Sequence, residues 1–327
     1  MRKANISIFV PNVGCPNMCS FCDQSTITGK TEIPRAADVQ NAVETAVKKG
    51  GDFEYEIAFF GGSFTAIDRD YMLELLGAAR PYVDDGTVTG IRISTRPDAI
   101  DEEILKILRY WGVTTIELGA QSTNNAVLEL NKRGHTAEDI KTASELINKM
   151  GFELVLQMMT GLYGSNDIID ICTACELSSL MPSAVRIYPT VVLKGTELAE
   201  LVENGKYRPN GVEHSVELAA ALVKIFNANE IKVLRVGLHA SEDIKENYVA
   251  GAYHEAFGEL VDSKIMLDEL MKLQKGKYNV KVNSNTVSKL VGHGKVNKQK
   301  LSQAGIDFKV VVDNGIEPGK FEAEKIG

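Results

Sequence analysis

Three cysteines near the start of the chain are the strongest chemical signal in the sequence. Cys15, Cys19 and Cys22 are separated by three and then two residues, so their thiolates can converge on one metal centre. Three ligands are one fewer than a structural zinc ion or an ordinary cubane iron–sulfur cluster takes. The spacing therefore indicates either a cluster with one open iron or a zinc site that a distant histidine completes.

The two remaining cysteines, Cys172 and Cys175, have the spacing of a redox Cys-x-x-Cys motif. Together with Ile168 and Ile171 they repeat at the three- and four-residue intervals of one helix face. This periodicity predicts that both thiols pack in the core. An odd number of cysteines in a chain with no export signal also argues against a disulfide framework.

The elements that must position the first three cysteines alternate along the first half of the chain. Short β-branched or aromatic runs are followed by amphipathic stretches, a pattern typical of βα units on a parallel sheet. The predicted strands span residues 6–10, 55–60, 90–94, 114–118, 153–159 and 184–188, and the predicted helices include 37–49, 70–79, 101–110, 137–150 and 167–179. Six such units predict an α/β fold, a partial (β/α)6 barrel of the TIM type. Its active site would lie at the carboxyl ends of the strands.

A region of different character follows Pro189. The sequence predicts a helix over 212–229 and a strand over 231–236, and then a small α+β appendage. The appendage would contain a helix over 262–273 and strands over 278–282 and 307–312. We therefore predict two domains, 1–236 and 237–327. Nine lysines and only two acidic residues lie between residues 264 and 300, which gives this segment a local charge of +7.

The composition limits the classes of protein to be considered. The chain has 327 residues, of which 44% are hydrophobic and 24% charged, as in ordinary globular proteins. No apolar run approaches the roughly 20 residues of a membrane helix, and Pro11 interrupts the first segment too early for a signal peptide. We expect a cytoplasmic protein with no membrane partner. The net charge of −8 opposes non-specific nucleic-acid binding by the surface as a whole.

The cysteine loop, with Phe21 before its last cysteine, resembles that of the radical S-adenosylmethionine (SAM) superfamily. Further segments resemble, in order and position, the catalytic subunit of the Elongator complex and, more remotely, oxygen-independent coproporphyrinogen oxidase. These segments span residues 59–65, 94–98, 117–122, 130–136, 159–165, 186–190 and 193–198. The resemblance covers residues 4 to about 205.

The resemblance implies a radical SAM barrel with a [4Fe-4S] cluster on Cys15, Cys19 and Cys22. The amino and carboxylate groups of SAM would chelate the open iron. Such an enzyme cleaves SAM reductively to a 5′-deoxyadenosyl radical, which abstracts hydrogen from a substrate. A ferredoxin or flavodoxin is the implied electron donor.

The resemblance also implies which residues bind SAM: Phe21, Gly61, Gly62, Ser63, Ser94, Gln121 and Arg133. The glycine pair belongs to a motif whose backbone contacts the methionine amino group. Arg133 would pair with the methionine carboxylate, since a guanidinium can hold a carboxylate by two hydrogen bonds. Gln121 would bind the ribose hydroxyls. Ser94 departs from the pattern, because both relatives carry a glutamate there that holds the ribose.

Three hypotheses describe the substrate and function. By resemblance to Elongator the substrate would be tRNA at a wobble uridine, with the Lys-rich segment along the phosphates. A second hypothesis is a radical SAM enzyme that acts on a small molecule or peptide. A third is a zinc-binding module without enzymatic activity. The residues after Ser241 are too few for an acetyltransferase domain like that of the Elongator subunit, and they contain no Gly-rich pyrophosphate turn.

Overall fold

The structure is a computed structural model that describes residues 2–10, 15, 19–23 and 32–326. Its main element is an open sheet of seven strands, each parallel to its neighbours, in the order β1-β2-β3-β4-β5-β6-β8. The strands are β1 (Arg2–Val10), β2 (Phe53–Gly61), β3 (Ile91–Thr95), β4 (Val113–Gln121), β5 (Glu153–Thr160), β6 (Ala184–Pro189) and β8 (Lys232–Val236). The predicted α/β class and partial barrel are confirmed.

Helices cover this sheet and connect its strands. They are α1 (Ala36–Lys49), α2 (Arg69–Asp84), α3 (Glu102–Tyr110), α4 (Asn125–Leu130), α5 (Ala137–Lys149), α6 (Asp167–Ser179), α7 (Glu197–Glu203) and α8 (Val212–Ala228). Side-chain oxygens of Asp68, Asp101, Asn124, Thr136 and Asn166 accept backbone N–H groups of the first turns of α2 to α6. These caps satisfy N–H groups that the helix itself leaves free, which fixes where each helix begins.

The sheet contains one strand more than the predicted six. The strand predicted over 231–236 is β8, which pairs with β6 and extends the barrel. Periodicity identified the strand but could not show its partner, because β7 (Val191–Leu193), α7 and α8 separate it from β6. The short β7 instead pairs with β9 (Tyr248–Gly251), which follows the short helix α9 (Glu242–Asn247).

Helix α6 differs from its prediction. Its buried residues include Asp170, Thr173 and Leu177, whereas Cys172 and Cys175 are exposed. The prediction that both thiols pack in the core is therefore wrong. Polar contacts decide the orientation: Asp170 accepts the Gly161 N–H at 2.7 Å, and Thr173 accepts the N–H of Thr123, just after β4, at 3.2 Å. The spacing of apolar residues gives no information about polar side chains that face the core.

The appendage is a second small unit with its own hydrophobic cluster. It contains α10 (Phe257–Leu270), β10 (Gly276–Val282), α11 (Val287–Val291), α12 (Val296–Gln303), β11 (Ile306–Val312) and β12 (Phe321–Lys325). Strand β10 lies between parallel β11 and antiparallel β12. Helix α10 starts earlier than predicted and contributes to both cores, with Val261 in the first and Leu270 in the second. The division at residue 236 stays a prediction.

No helix in the described ranges is both long and apolar enough to cross a membrane.

The exposure of Cys172 and Cys175 can be tested by chemical labelling. We expect a mild thiol reagent to modify both residues in the native protein loaded with its metal cofactor, because solvent reaches both side chains. The double variant Cys172→Ser/Cys175→Ser should lose this fast phase while keeping the same unfolding midpoint. If labelling appears only after denaturation, Cys172 and Cys175 are buried in the native protein and the exposure described here is wrong.

Candidate active site

A cavity of about 370 Å³ lies at the carboxyl ends of the sheet strands, and the three cysteines of the first motif line it. The other lining residues are Phe21, Gly61, Gly62, Ser94, Thr95, Arg96, Gly119, Gln121, Arg133 and Gln157. Nine of the ten residues that the sequence predicted for the site therefore meet here. The tenth, Ser63, lies fully buried behind the wall, 2.9 Å from the Thr95 hydroxyl, and accepts the Arg96 N–H at 3.2 Å.

The described part of the cysteine loop is attached to the barrel through Ser20. Its hydroxyl donates to Asn131 Oδ1 at 2.8 Å, and its N–H donates to the Asn131 carbonyl at 3.2 Å. Asn131 is fully buried at the end of α4 and donates to the carbonyls of Val127 and Tyr163. The Ser20 carbonyl accepts the first-turn N–H of Leu198 in α7. The segment after α4 thus holds the cysteine loop in place.

Burial raises the pKa of two of the three thiols. Burial, followed by the neighbouring Cys19 and Cys15, raises the pKa of Cys22 to about 12, and burial also raises the pKa of Cys15. Among residues in the described ranges, no three His, Cys, Asp or Glu side chains form a metal-binding group. Because metals bind thiolates, a metal cluster would release the protons of Cys15 and Cys22 when it binds.

Arg133 is the cation of the cavity that has no carboxylate partner in the described ranges. It is 7% exposed; Nη1 donates to Cys19 Sγ at 3.0 Å and Nη2 to the Gly119 carbonyl at 2.6 Å. Its guanidinium carbon lies 5.8 Å from the centre of the Phe21 ring. Its Nε is buried and makes no hydrogen bond. A buried cation in this state favours an anionic ligand.

Arg96 lies on the same cavity but is already neutralised. Two of its nitrogens hold Asp98 at 2.9 and 2.7 Å, in the side-by-side geometry that guanidinium and carboxylate groups prefer. Its remaining Nη1 is buried without a partner. Arg133 is therefore better suited to a ligand carboxylate, and Arg96 can add one hydrogen bond.

Unpaired polar atoms mark the cavity as a binding site. Seven buried side-chain polar atoms in the described ranges lack a hydrogen-bond partner, and four belong to residues lining the cavity: Ser94 Oγ, Arg96 Nη1, Gln121 Oε1 and Arg133 Nε. Each such group costs free energy unless a ligand or water pairs with it. These atoms offer both donors and acceptors, as a zwitterion with a ribose requires. The cavity thus fits SAM.

The backbone near the end of β4 determines how the side chains of Gln121 and Arg133 lie in the cavity. Gln121 has φ of 67° and follows a register shift at the end of β4, a bulge that redirects its side chain. At Gly119 an added Cβ would lie 3.1 Å from Gln121 Nε2 and 3.2 Å from Arg133 Nη2. At Gly61, with φ of 106°, it would lie 2.4 Å from the Val10 carbonyl oxygen. Gly61 requires glycine, because its φ is positive and a backbone oxygen lies so close. A side chain at Gly119 would press on the ends of the Gln121 and Arg133 side chains and shift them.

Four lining residues lie outside the predicted cluster- and SAM-binding set: Thr95, Arg96, Gly119 and Gln157. The sequence offers one of them, Arg96, only as an alternative to Arg133. Thr95, Arg96 and Gly119 lie beside predicted residues near the carboxyl ends of β3 and β4. Their position near the end of a strand is the sequence feature that could have identified them. Gln157 is different because it lies within β5, and the pairing of β5 with β4 brings its amide to 2.8 Å from Glu117 Oε2.

A second cavity of about 600 Å³ occupies the interior of the barrel and shares Cys22, Gly61, Ser94, Gln121 and Gln157 with the first. Strands β1, β6 and β8 supply most of its remaining wall. The residues that line it include Asn5, Ser7, Phe9, Phe60, Glu117, Arg186, Tyr188, Arg235 and His239. Space for a second ligand therefore adjoins the cysteine site.

Buried charges on the floor of this second cavity compensate one another. The fully buried Glu117 accepts from Arg92 at 2.9 Å and from two nitrogens of Arg186 at 3.0 Å, and Arg92 also pairs with Glu56 at 2.7 Å. Two cations and two carboxylates leave no net charge. Arg235, exposed at the edge of the cavity, has no ion-pair partner in the described chain. The uncompensated charge of the cavity wall is thus positive.

The fold and the site together define an α/β barrel enzyme with a metal cofactor and a second ligand at the barrel mouth. The sequence profile of the Radical SAM superfamily matches residues 9–173, and that of the Radical SAM C-terminal domain matches residues 182–266. The chain therefore belongs to the radical SAM superfamily and is a SAM-dependent enzyme whose cofactors are SAM and a [4Fe-4S] cluster. This membership sets aside the zinc-binding module.

Individual relatives confirm the predicted likeness to Elongator. The tRNA uridine(34) acetyltransferase of Methanocaldococcus jannaschii is 31% identical over 183 residues, which are 50% of this chain and 34% of that protein. Human Elongator complex protein 3 is 32% identical over 190 residues, 52% of this chain and 35% of that protein. The chain thus spans about a third of each relative.

A solved structure shows the same fold. Elp3 from Methanocaldococcus infernus, with an N-terminal deletion, superposes with a TM-score of 0.65 at 24% identity. The superposition covers 82% of this chain and 63% of that one.

The anchoring role of Asn131 can be tested by truncation. Asn131→Ala leaves the Ser20 hydroxyl and the Tyr163 carbonyl without their partner, which should cost about 1–3 kcal/mol of the free energy of unfolding. Bound iron per chain after anaerobic reconstitution should also fall, because the cysteine loop keeps only the backbone hydrogen bonds of Ser20. Urea unfolding of the apoprotein and iron analysis measure the two effects.

Asn229→Ala is the matched control for this experiment. Asn229 bonds the Ile225 carbonyl at an exposed helix end, so its loss should change stability by no more than about 0.5 kcal/mol. Equal stability and iron content in the two variants would contradict the anchoring role.

Proposed function

We propose that the chain is a radical SAM enzyme that modifies tRNA, with the SAM site and the substrate site in the two adjoining cavities of the barrel. The observation that carries this proposal is the 31% identity of half of the chain to a tRNA uridine(34) acetyltransferase. The second cavity and the Lys-rich appendage support it. When bound and reduced, the cluster supplies an electron that splits SAM into methionine and a 5′-deoxyadenosyl radical, which takes a hydrogen atom from the substrate.

In this proposal Cys15, Cys19 and Cys22 hold the cluster, and the unpaired atoms beside them hold SAM. The guanidinium of Arg133 pairs with the methionine carboxylate, because no carboxylate in the described chain neutralises it. Gln121 Oε1 accepts a hydrogen bond from a ribose hydroxyl. Ser94 Oγ hydrogen-bonds the same sugar, with a side chain of shorter reach than the glutamate of the relatives. A ferredoxin or flavodoxin delivers the electron.

The role of the other predicted residues follows from the wall of the cavity. The backbone of Gly61 and Gly62 lines the cavity and would contact the methionine amino group. Phe21 would cover the cofactors and pack against the Arg133 guanidinium, whose carbon is 5.8 Å from its ring centre. Ser63 would act indirectly, since it lies behind the wall and positions Thr95 and Arg96.

Arg133→Ala should weaken SAM binding to the cluster-loaded protein by about 2–5 kcal/mol, because it removes the charge partner of a desolvated carboxylate. Iron content should stay unchanged, since the three thiols remain. Equilibrium dialysis of SAM under anaerobic conditions measures the loss.

Arg96→Ala serves as the control for this experiment, because Asp98 already neutralises Arg96 and its contribution to SAM affinity should be smaller. If Arg96→Ala lowers the affinity more than Arg133→Ala does, the carboxylate contact belongs to Arg96.

The second cavity would receive the substrate group that loses hydrogen. Because this cavity shares a wall with the proposed SAM site, that group would lie next to bound SAM. Its floor is charge-neutral, and Arg235 stands at its edge without an ion-pair partner in the described ranges. A nucleoside with an adjacent phosphate matches this arrangement, since the base and sugar enter the cavity while the phosphate meets Arg235.

The test is SAM cleavage that depends on substrate. Anaerobic incubation with dithionite, SAM and total tRNA should release 5′-deoxyadenosine faster than the uncoupled rate without RNA. Arg235→Gln should lower the stimulated rate about tenfold or more, the worth of a hydrogen bond to a charged group, and leave the uncoupled rate intact.

Lys232→Gln is the matched control, since Lys232 is an exposed cation on the same strand that does not line the second cavity. Stimulation by a small-metabolite or peptide fraction, with none by tRNA, would replace tRNA with the second substrate hypothesis.

A further inference from the structure

Charge is strongly segregated within the appendage. Between Glu269 and Asp307 the sequence contains eight lysines and no acidic residue. The acidic residues of the appendage lie on α10 and from β11 onward. The helices and loops between β10 and β11 therefore form a basic, acid-free region.

The open face of the three-stranded sheet is not basic. Lys277 on β10 is paired in register with Asp307 on β11, and Lys281 on β10 is paired with Glu322 on β12. Lys309 and Glu324 add one charge of each sign at positions paired with Asn279. Three lysines and three acidic residues leave this face neutral, so it does not attract a polyanion.

Several other lysines of the segment are neutralised by ion pairs. Lys264 pairs with Asp268 at 2.6 Å, Lys272 with Glu269 at 2.6 Å, and Lys289 with Asp262 at 2.5 Å. By contrast, Lys275, Lys295, Lys298 and Lys300 are exposed and have no ion pair with any residue in the described part of the chain. Lys275 lies in the loop before β10, and the other three lie at the start of α12 and along its length, so most of the available positive charge is at α12.

The loop before these lysines has an unusual backbone. Gly292, Gly294 and Lys295 have positive φ angles of 80°, 59° and 65° in the sequence Gly292-His293-Gly294-Lys295. An added Cβ on Gly294 would meet no atom within 4 Å, so a ligand backbone can approach the loop there. Lys295 occupies a left-handed conformation that glycine normally provides.

A short loop with two glycines joins α11 to α12, between β10 and β11. In RNA-binding KH modules a Gly-x-x-Gly loop clamps about four backbone nucleotides. Here Lys295 stands at the position of the second glycine of that motif; it has a left-handed backbone and adds a positive charge. Both the loop and the charge distribution therefore select the same surface of the appendage.

We propose that the loop 292–295 and the lysines of α12, here called the glycine-loop surface, bind the sugar–phosphate backbone of a single-stranded RNA segment. This inference rests on the proposed function, because the bound segment would belong to the tRNA substrate. It assigns binding to one surface and excludes the sheet face and the paired lysines. The barrel cavity then handles the reacting nucleoside, and the glycine-loop surface holds a segment outside the barrel.

Two variants with the same charge change separate this surface from general electrostatics. The first is Lys295→Gly/Lys298→Gln/Lys300→Gln, in which glycine preserves the left-handed backbone. The control is Lys277→Gln/Lys281→Gln/Lys309→Gln on the neutral sheet face. The ligands are a labelled single-stranded RNA of about 12 nucleotides, a duplex of equal length, and total tRNA. Anisotropy titrations at several salt concentrations give affinities, and thermal unfolding confirms that both variants fold.

We expect the loop variant to bind single-stranded RNA about 100-fold more weakly at 0.1 M salt, and its log–log salt slope to become shallower by about 2. The control variant should change the affinity by less than about threefold, since its lysines are offset by neighbouring acidic residues. The wild-type protein should bind the duplex more weakly than the single strand. Equal losses in the two variants, an unchanged loop variant, or preferred duplex binding would each overturn the inference.

The rate of 5′-deoxyadenosine release separates this inference from the proposed function. If tRNA at subsaturating concentration stimulates release equally in the wild type and the loop variant, the proposed function stands. The inference that the glycine-loop surface binds the RNA is then wrong. If tRNA neither binds nor stimulates release, both fail.

Discussion

The parallel direction of seven strands is the constraint on which the site depends. Parallel strands bring their carboxyl ends to one edge, so residues far apart in sequence, such as Gly61 and Gln121, line one cavity without any direct connection. The open sheet adds a second consequence. Strand β8 widens the barrel beside β6, and the interior between β1 and β8 becomes a cavity continuous with the cysteine site. One arrangement of backbone thus creates both the cofactor site and the space beside it.

Within this frame, neutralisation distinguishes structural charges from functional ones. Arg92, Arg186 and Arg96 all lie near the cavities, but each is hydrogen-bonded to a carboxylate. Such pairs offset the cost of burying charge and hold the strands in a fixed relation. Arg133 is buried to the same degree, yet it contacts a thiol and a carbonyl, which do not neutralise it. The structure therefore tolerates one unneutralised cation in the cavity, and we propose that this cation binds the carboxylate of SAM.

The sequence predicted features that depend on local spacing and missed those that depend on partners. The cysteine spacing and the six strand positions follow from residue types at short range. The place of β8 in the sheet and the contact of Gln157 with Glu117 depend on pairing across the fold. Helix α6 shows the limit most clearly: its apolar periodicity pointed Cys172 inward, but Asp170 faces inward because the Gly161 N–H needs an acceptor. The unpaired atoms of Ser94 and Gln121 likewise become visible only when all neighbours are known.

Charge distribution relates the barrel to the appendage. Residues 1–263 carry a net charge of −13, whereas residues 264–300 carry +7. A polyanion is repelled by the first part and attracted by the second, so an RNA substrate would approach through the appendage. In the proposed function the same repulsion would keep a phosphate chain from running deep into the barrel, whereas one nucleoside would enter with its phosphate at Arg235 on the edge of the cavity. Separation of backbone binding from radical chemistry would then follow from the charge pattern, because the barrel repels the polyanion and the basic surface of the appendage attracts it.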